Sequence, residues 1–257
     1  MAQSEFLQTA IKAAQAAEVV IRKYYLSNIE IEIKEDRSPV TVADVETEKT
    51  IKEIILNAFP GHGFYGEETG KTNEDADYLW LIDPIDGTKS FVRQYPMFST
   101  QIALMYKGEL ILGVSNSPMF QEMAWAEKGC GAFMNDKPVQ VSDIEALDLC
   151  ALSTGNIATL AATPSWDGLS ELIRSVSRIR GYGDFFHYHL LASGKIDIIV
   201  ESDVNILDIA ALSVIINEAG GVFTDLKGNG LDLETTSVLA ANNKGLYQLA
   251  ADMLKYS

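Results

Sequence analysis

Two carboxylates in one short segment have the spacing expected of metal ligands. Residues 79–91 read LWLIDPIDGTKSF, so Asp83 and Asp86 follow an apolar run and lie three positions apart. Carboxylates this close repel one another unless one is protonated or a cation lies between them. Mg²⁺ commonly binds one or two carboxylates together with phosphate oxygens. The pair therefore indicates a divalent-metal site, although Asp-Pro and Asp-Gly pairs also occur in turns that cap a helix.

The neighbouring residues favour a phosphate site at the same place. Pro84 has a fixed φ and no N–H, so we expect the chain to leave the sheet there. Gly87 permits a tight turn and a close approach of the backbone to a ligand. The backbone amides of Gly87 and Thr88 would then form an anion-binding site beside the metal.

Four other acidic residues have contexts that suit such a site. Glu67 and Glu68 lie between glycines in GFYGEETG, Asp44 lies near a helix start, and Asp208 opens an apolar helical segment. Each has a structural alternative: a surface turn for the glutamates, a helix-dipole charge for Asp44 and an N-cap for Asp208. Their joint occurrence with the acidic pair favours a shared metal site.

Helical and strand periodicities alternate along the chain, which predicts a layered α/β or α+β fold. The predicted helices span residues 4–25, 43–58, 165–177, 184–192, 209–219 and 244–254. The predicted strands span 29–33, 78–82, 99–106, 110–115, 121–127, 148–154, 196–200, 222–225 and 238–241. A composition change near residue 145 predicts two packed lobes, 1–145 and 146–257, with most metal ligands in the first.

The composition is globular, with an excess of acidic residues. The 257 residues include 20 Lys and Arg against 36 Asp and Glu, for a formal net charge of −16. This charge argues against nucleic acid and anionic membranes as partners, whereas bound metal ions would still permit a phosphorylated substrate. The chain has no signal-peptide pattern or long apolar run, and two cysteines are too few for a disulfide framework. We therefore expect a cytoplasmic protein.

The motifs resemble those of the inositol monophosphatase superfamily from about residue 5 to residue 250. The matching segments are GEE (66–68), DPIDGT (83–88), and DIAA (208–211) followed by EAGG (218–221). The resemblance implies a five-layered αβαβα sandwich of the inositol monophosphatase and fructose-1,6-bisphosphatase type. It also implies Mg²⁺-dependent phosphomonoester hydrolysis, often lithium-sensitive, and a homodimer. One departure is Leu207, where the family usually has Trp, which puts the packing of the pocket wall in doubt.

Carried over by position, the resemblance assigns two or three Mg²⁺ ions to acidic residues of both halves. Glu67, Asp83 and the backbone carbonyl of Ile85 would bind the first ion. Asp83, Asp86 and Asp208 would bind the second, with Asp83 bridging. A weaker third ion would share Glu67 and water molecules.

The resemblance also implies how phosphate and water are held. The amides of Gly87 and Thr88 would bind the phosphate, and Asp44, Glu67 and Thr88 would be the catalytic residues. The Thr88 hydroxyl, hydrogen-bonded to Asp44, would orient the attacking water and take up its proton. Lys34 would lie in a mobile flap near the site or be an ordinary surface lysine.

Several segments favour L-histidinol phosphate as the substrate. RGYGD, ending at Asp184, resembles the R-x-x-G-D element of the histidinol-phosphate phosphatase branch, as do TKSF (88–91), LST (152–154) and FTDL (223–226). A partly desolvated carboxylate at Asp184 would pair with a substrate ammonium group. The alternative for Asp184 is a helix N-cap.

Other interpretations stay open. Glu201 corresponds to a glutamate that contacts sugar hydroxyls in inositol phosphatases, so inositol-1-monophosphatase is an alternative, although Glu201 would equally suit a ring N–H. His62, His187 and His189 are interpreted as structural or pocket-lining, because a hard oxygen-rich site does not require imidazole. A non-catalytic interaction protein is an alternative from another class, since relatives of inositol monophosphatases bind transcription machinery.

Overall fold

The protein contains two large β-sheets that are separated and flanked by helices. The computed structural model describes residues 3–25, 31–33 and 39–256. Lys34 lies outside the described residues. The helices are α1 (Glu5–Tyr25), α2 (Val42–Ala58), α3 (Thr88–Val92), α4 (Ala158–Ala161), α5 (Ser165–Ser175), α6 (Asp184–Ala192), α7 (Ile206–Glu218) and α8 (Lys244–Leu254), with a 3₁₀ turn at Leu147–Leu149. The strands are β1 (Ile31–Ile33), β2 (Pro39–Thr41), β3 (Gly63–Gly66), β4 (Gly70–Thr72), β5 (Tyr78–Asp86), β6 (Ser99–Tyr106), β7 (Glu109–Ser117), β8 (Glu122–Glu127), β9 (Ala132–Met134), β10 (Lys137–Val139), β11 (Ala151–Thr154), β12 (Arg178–Arg180), β13 (Ile198–Ser202), β14 (Val222–Thr224) and β15 (Ser237–Ala241).

The larger sheet has eight strands in the order β10-β9-β8-β7-β6-β5-β3-β4. Only its β3–β5 pair is parallel, and this pair sets Gly66 opposite Ile82. The smaller sheet has five strands in the order β12-β11-β13-β15-β14, and β11 is parallel to both of its neighbours. The short strands β1 and β2 form a separate antiparallel pair.

Side chains of the central strands alternate between the two faces of each sheet, so helices pack on both faces and form the layers. In β5, Trp80 and Ile82 pack with α1 and α2, whereas Leu79 and Leu81 pack with α6 and α7. The smaller sheet repeats this pattern, because alternate residues of β13 face α6 and α7 or the outer helices α5 and α8. Residues on both faces are buried, so the first parts of these strands, Leu79–Ile82 and Ile198–Val200, are apolar on both sides. The resulting order of helices, sheet, helices, sheet and helices confirms the predicted αβαβα sandwich.

Helix α7 lies between the two sheets and is buried almost all round. A helix in such a position carries apolar residues on every side rather than on one stripe. Gly113 of β7 permits its close approach, because a Cβ there would lie 2.2 Å from the carbonyl oxygen of Ala211. The helix is thereby fixed against the large sheet, and its first turn is fixed with it.

Most predicted elements are confirmed, and three boundaries were wrong by three residues or more. Strand β11 begins at Ala151 rather than Asp148, because Leu147–Leu149 form a 3₁₀ turn. Strand β5 continues through Asp86 instead of ending at Ile82, and α7 begins at Ile206 rather than Ile209 because Asn205 caps it. The short elements β2, β3, β4, β9, β10, β12, α3 and α4 were not predicted, because three to five residues carry too little periodicity. The lobe boundary near residue 145 stays a prediction. None of the described helices is long and apolar enough to cross a membrane.

Candidate active site

A β-bulge brings the two acidic side chains of β5 together. Residues three apart on a regular strand point to opposite faces. Here Asp83 pairs with Gln101 and Asp86 with Ser99, so β5 contains one more residue than β6 over this stretch. Such an extra residue locally breaks the alternation and redirects side chains. Both carboxylates therefore face one place, where their oxygens lie within 4.8 Å of each other and of an Asp208 oxygen.

Asp208 reaches this place through a capping box at the start of α7. The backbone N–H of Asn205 donates to Asp208 Oδ2 at 2.9 Å, and the Asn205 side-chain amide donates to Oδ1 at 2.7 Å. Asn205 in turn accepts the Leu207 N–H at 2.7 Å. The N-cap is thus Asn205, and Asp208 is the third helical residue, so the N-cap alternative for Asp208 was wrong.

Asp44 is held by the same device at the start of α2. Its Oδ2 accepts the backbone N–H of Thr41 at 2.7 Å and the Thr41 hydroxyl at 2.8 Å. Its other oxygen, Oδ1, lies 3.2 Å from the Thr88 hydroxyl. That hydroxyl also lies 3.0 Å from the Ile85 carbonyl oxygen, so its single proton has two alternative acceptors.

Glu67 is placed beside Asp83 by the parallel pairing of β3 and β5. Gly66 lies opposite Ile82, and the Glu67 N–H donates to the Ile82 carbonyl at 3.2 Å. The next residues along the two strands are Glu67 and Asp83. Glu67 lines a cavity of about 300 Å³ together with the three clustered aspartates.

The turn after the bulge requires glycine. Gly87 has a φ of 89°, and a Cβ there would lie 2.7 Å from the Met97 carbonyl oxygen. Its carbonyl accepts the N–H groups of Ser90 and Phe91, which starts helix α3. The first N–H groups of a helix have no partner within the helix. Gly87 and Thr88 line the same cavity as the acids, as does Lys89, which the sequence analysis did not single out.

The clustered carboxylates repel one another and have no cationic partner among the described residues. Burial, and then the charges of Glu67, Asp86 and Asp208, raise the pKa of Asp83 well above its usual value. Burial and neighbouring acids do the same for Asp86, and burial chiefly raises the pKa of Asp208 to about 7. Within the described part of the chain, no Lys, Arg or His forms an ion pair with these three aspartates. Buried oxygen ligands without a counter-charge fit a hard divalent cation.

Asp184 lies in an adjoining cavity of about 270 Å³. The N-cap of α6 is Gly183, which makes no side-chain cap, so the N-cap alternative for Asp184 was wrong. Asp184 itself has a φ of 45°, a strained conformation for a residue other than glycine. No described residue donates a hydrogen bond to its carboxylate. Burial, followed by the negative charge of Glu201, raises the pKa of Asp184 to about 6.

Glu201 lines the same cavity but is already hydrogen-bonded inside the protein. His187 Nε2 lies 3.0 Å from Oε2, and the Tyr188 hydroxyl donates to the same oxygen. The Asn156 N–H donates to Oε1 at 3.2 Å. Burial raises the pKa of Glu201, but the charge of His187 and these donors outweigh it, so the net pKa is below its usual value. No spacing in the sequence links Glu201 with His187 or Tyr188.

The three histidines have separate surroundings. His187 also contacts the Ser153 hydroxyl at 3.2 Å. His189 bonds to the Ser115 hydroxyl at 2.9 Å, and His62 accepts the indole N–H of Trp80 at 3.0 Å. Among the described residues, the grouping of potential metal ligands contains only aspartates.

The chain resembles known proteins over nearly its whole length. A sequence model of the inositol monophosphatase family matches residues 2–256. A histidinol-phosphatase from Chlorobaculum parvum is 35% identical over 238 residues, 92% of each chain, and the Nus factor SuhB of Pseudomonas aeruginosa is 34% identical over 248 residues, 93% of this chain and 92% of that protein. The structure of an inositol monophosphatase from Anabaena is similar with a TM-score of 0.84 and 31% identity, covering 97% of this chain and 95% of that one. The chain therefore belongs to the inositol monophosphatase family of phosphatases.

Proposed function

We propose that this phosphatase hydrolyses L-histidinol phosphate with the help of Mg²⁺. The observation that carries the proposal is the contrast between two carboxylates beside the acidic cluster. Asp184 has no donor among the described residues and a raised pKa, whereas Glu201 is bound by three donors. The first is suited to accept hydrogen bonds from a cationic substrate, whereas three of the roughly four acceptor positions of the second are already used inside the protein.

Asp83, Asp86 and Asp208, with Glu67 and the carbonyl oxygen of Ile85, would hold two or three Mg²⁺ ions. Bound there, these ions would neutralise phosphate charge and make a water molecule more acidic. This assignment is supported by the close approach of the three aspartate side chains and by the shared cavity.

The chain itself would position the water and the phosphate. When the Thr88 hydroxyl donates its proton to Asp44 Oδ1, the Thr88 oxygen can accept a hydrogen bond from the attacking water. Asp44 is held by Thr41, and the other partner of the Thr88 hydroxyl, the Ile85 carbonyl, is also an acceptor, so the Thr88 oxygen would be available to the water in either arrangement. The water proton would pass to Thr88 and Asp44 as the water attacks, and the amides of Gly87 and Thr88 would bind phosphate oxygens.

Substrate preference would follow from charge. An ammonium group paired with a partly buried carboxylate forms a charge-assisted hydrogen bond, stronger than that of a neutral hydroxyl. Inositol phosphate offers only hydroxyls to Asp184. At Glu201 they would meet a carboxylate that already accepts two donors on Oε2 and one on Oε1. The position of Glu201 in the cavity wall is the observation that keeps inositol-1-monophosphatase as the second candidate.

The test compares kcat/KM for L-histidinol phosphate and myo-inositol 1-phosphate in wild type and Asp184→Asn. We expect wild type to prefer histidinol phosphate by about 100-fold, about 2.7 kcal/mol, and Asp184→Asn to lose most of that preference. Asp203→Asn is the matched control, because Asp203 lines the metal cavity but is bound to Thr159. A reversed preference would favour the inositol candidate. Failure to release phosphate from either ester would favour an interaction protein or another substrate.

A further inference from the structure

A second buried carboxylate on α2 contacts the turn that carries Glu67. Glu48 lies one helical turn after Asp44, on the same buried face of α2. Its Oε2 accepts the N–H of Glu68 at 2.7 Å, and its Oε1 accepts the N–H of Thr69 at 2.9 Å. A fully buried carboxylate is costly unless donors satisfy its oxygens, and here two backbone amides do so.

The turn between β3 and β4 is shaped to receive this carboxylate. A Cβ on Gly66 would lie 2.4 Å from the Glu48 carboxyl carbon, so only glycine leaves room for it. Glu67 is thus held on both sides. Its own N–H is bonded to Ile82 of β5, and the next two N–H groups are bonded to Glu48.

The hydrogen bonds of the turn to Glu48 and Ile82 oppose the electrostatic repulsion between Glu67 and the neighbouring aspartates. Glu67 lines one cavity with Asp83, Asp86 and Asp208, and like charges gathered this closely repel one another. The charge of Glu67 accordingly contributes to the raised pKa values of Asp83 and Asp208. A turn free to move would relieve that repulsion by carrying Glu67 away from the aspartates. A rigid second layer around metal ligands is what keeps such groups in place.

We propose that Glu48 is a positioning residue that holds Glu67 in place to bind a divalent cation. The inference rests on the proposed function, since it assumes that Glu67 is a metal ligand. Glu48 would touch neither metal nor substrate and would act only through the backbone of the turn. The competing explanation is that Glu48 caps the turn and contributes to folding alone.

The chain contains a matched control for this competing explanation. Glu218 makes the same kind of contact elsewhere, accepting the N–H groups of Gly129 and Gly131 at 2.9 and 2.8 Å in the β8–β9 turn. It lies ten residues along α7 from Asp208, about 15 Å at 1.5 Å per residue. Loss of its contacts should affect folding without affecting metal ligands.

The experiment measures Mg²⁺ binding by calorimetry without substrate, and the metal-free Tm, for wild type, Glu48→Gln and Glu218→Gln. Glutamine retains one acceptor oxygen and turns its NH₂ group toward the second backbone N–H, which breaks that bond. We expect Glu48→Gln to weaken the Mg²⁺ Kd about tenfold, as is typical when a group that orients a metal ligand is lost. We expect Glu218→Gln to lower Tm while leaving the Kd unchanged.

A double-mutant cycle identifies the route of the effect. If Glu48 acts through Glu67, then Glu48→Gln should have no further effect on Kd in a Glu67→Gln background. If Glu48→Gln does not fold, Glu48→Asp retains both oxygens at a shorter reach and should weaken Kd to a smaller extent. An unchanged Kd in a folded Glu48 variant, or additive effects in the cycle, would overturn the proposal. Wild type that binds no Mg²⁺ would instead overturn the proposed function on which it rests.

Discussion

The cluster of three aspartates and the single carboxylate of Glu201 have opposite electrostatic environments. The aspartates at 83, 86 and 208 crowd together with no cationic partner among the described residues, and their pKa values are raised. Glu201 is as deeply buried, yet its pKa is lowered. Burial raises the pKa in both places, so the difference comes from the neighbours: other carboxylates in the first case, and the charge of His187 with the hydrogen-bond donors in the second.

The comparison shows how a chain can use the same chemical group in two ways. Glu201 receives two donors from α6 and one from the residue after Gly155, so each of its oxygens has a partner within the protein. The aspartate cluster gathers like charges from β5 and α7 and would be completed by a cation. The first arrangement satisfies a buried charge with donors of the protein, whereas the second would be satisfied only by a bound cation.

The largest expected effect tests the cluster directly. Asp83→Asn should lower kcat/KM by at least about 10³-fold, about 4 kcal/mol, because it removes a carboxylate that would bridge two metals. It should also leave the metal-free Tm unchanged or raise it, because one of the repelling charges is gone. The measurements are phosphate release and thermal unfolding, with Asp77→Asn, a surface aspartate paired with Lys107, as the control. An active variant would contradict the metal role of Asp83.

A second test asks whether the cluster gains from a cation. Mg²⁺ at 100 times its Kd should stabilise wild type by about 2.7 kcal/mol, because it binds the folded state only. The stabilisation by Mg²⁺ should be much smaller in Asp83→Asn. It should be unchanged in Tyr188→Phe, because the Tyr188 hydroxyl bonds to Glu201 and not to the aspartate cluster. Thermal unfolding at increasing Mg²⁺ gives these values. Equal stabilisation of wild type and Asp83→Asn would place the bound metal elsewhere.

A third test addresses the donors around Glu201. Tyr188→Phe removes one donor and should lower the free energy of unfolding at pH 7 by about 1–3 kcal/mol, the range for a hydrogen bond to a buried charged group. The measurement is chemical denaturation. Tyr247→Phe is the control, because its hydroxyl pairs with the neutral Thr224 hydroxyl at 2.9 Å.

The smallest expected effect is the pH dependence of the stability that Tyr188→Phe loses. The pKa of Glu201 is lower in the folded than in the unfolded state, so its stabilising contribution is present above the unfolded pKa, about 4.3, and is lost as pH falls through the folded value. Tyr188→Phe raises the folded pKa toward its usual value. The stability difference between wild type and Tyr188→Phe should therefore shrink below about pH 4, while the Tyr247→Phe difference stays constant. If the stability difference between wild type and Tyr188→Phe is independent of pH, the stabilising effect of the Tyr188 hydroxyl does not come from its bond to Glu201.

Local sequence patterns predicted much of the fold. Helix α1 follows from apolar periodicity and strand β6 from a short apolar run, because each is decided by residues within a few positions of one another. The DPIDGT segment indicated a metal and phosphate site for the same reason, since proline, glycine and paired carboxylates restrict the backbone locally. The capping boxes were also readable in principle, as Thr41 and Asn205 each precede an aspartate by three positions.

The sequence by itself determined the family, the main elements and the set of acidic residues. Only the tertiary structure decided which of them meet and what surrounds each one. The bulge that turns Asp83 and Asp86 to one side depends on pairing with β6, and the approach of Asp208 depends on α7 lying between the sheets. The hydrogen bonds of Glu201 to His187 and Tyr188 join separate elements. The same is true of the hydrogen bond of Glu48 to the turn after Glu67. Charge and hydrogen-bond balance are set by distance in space, which local patterns do not encode.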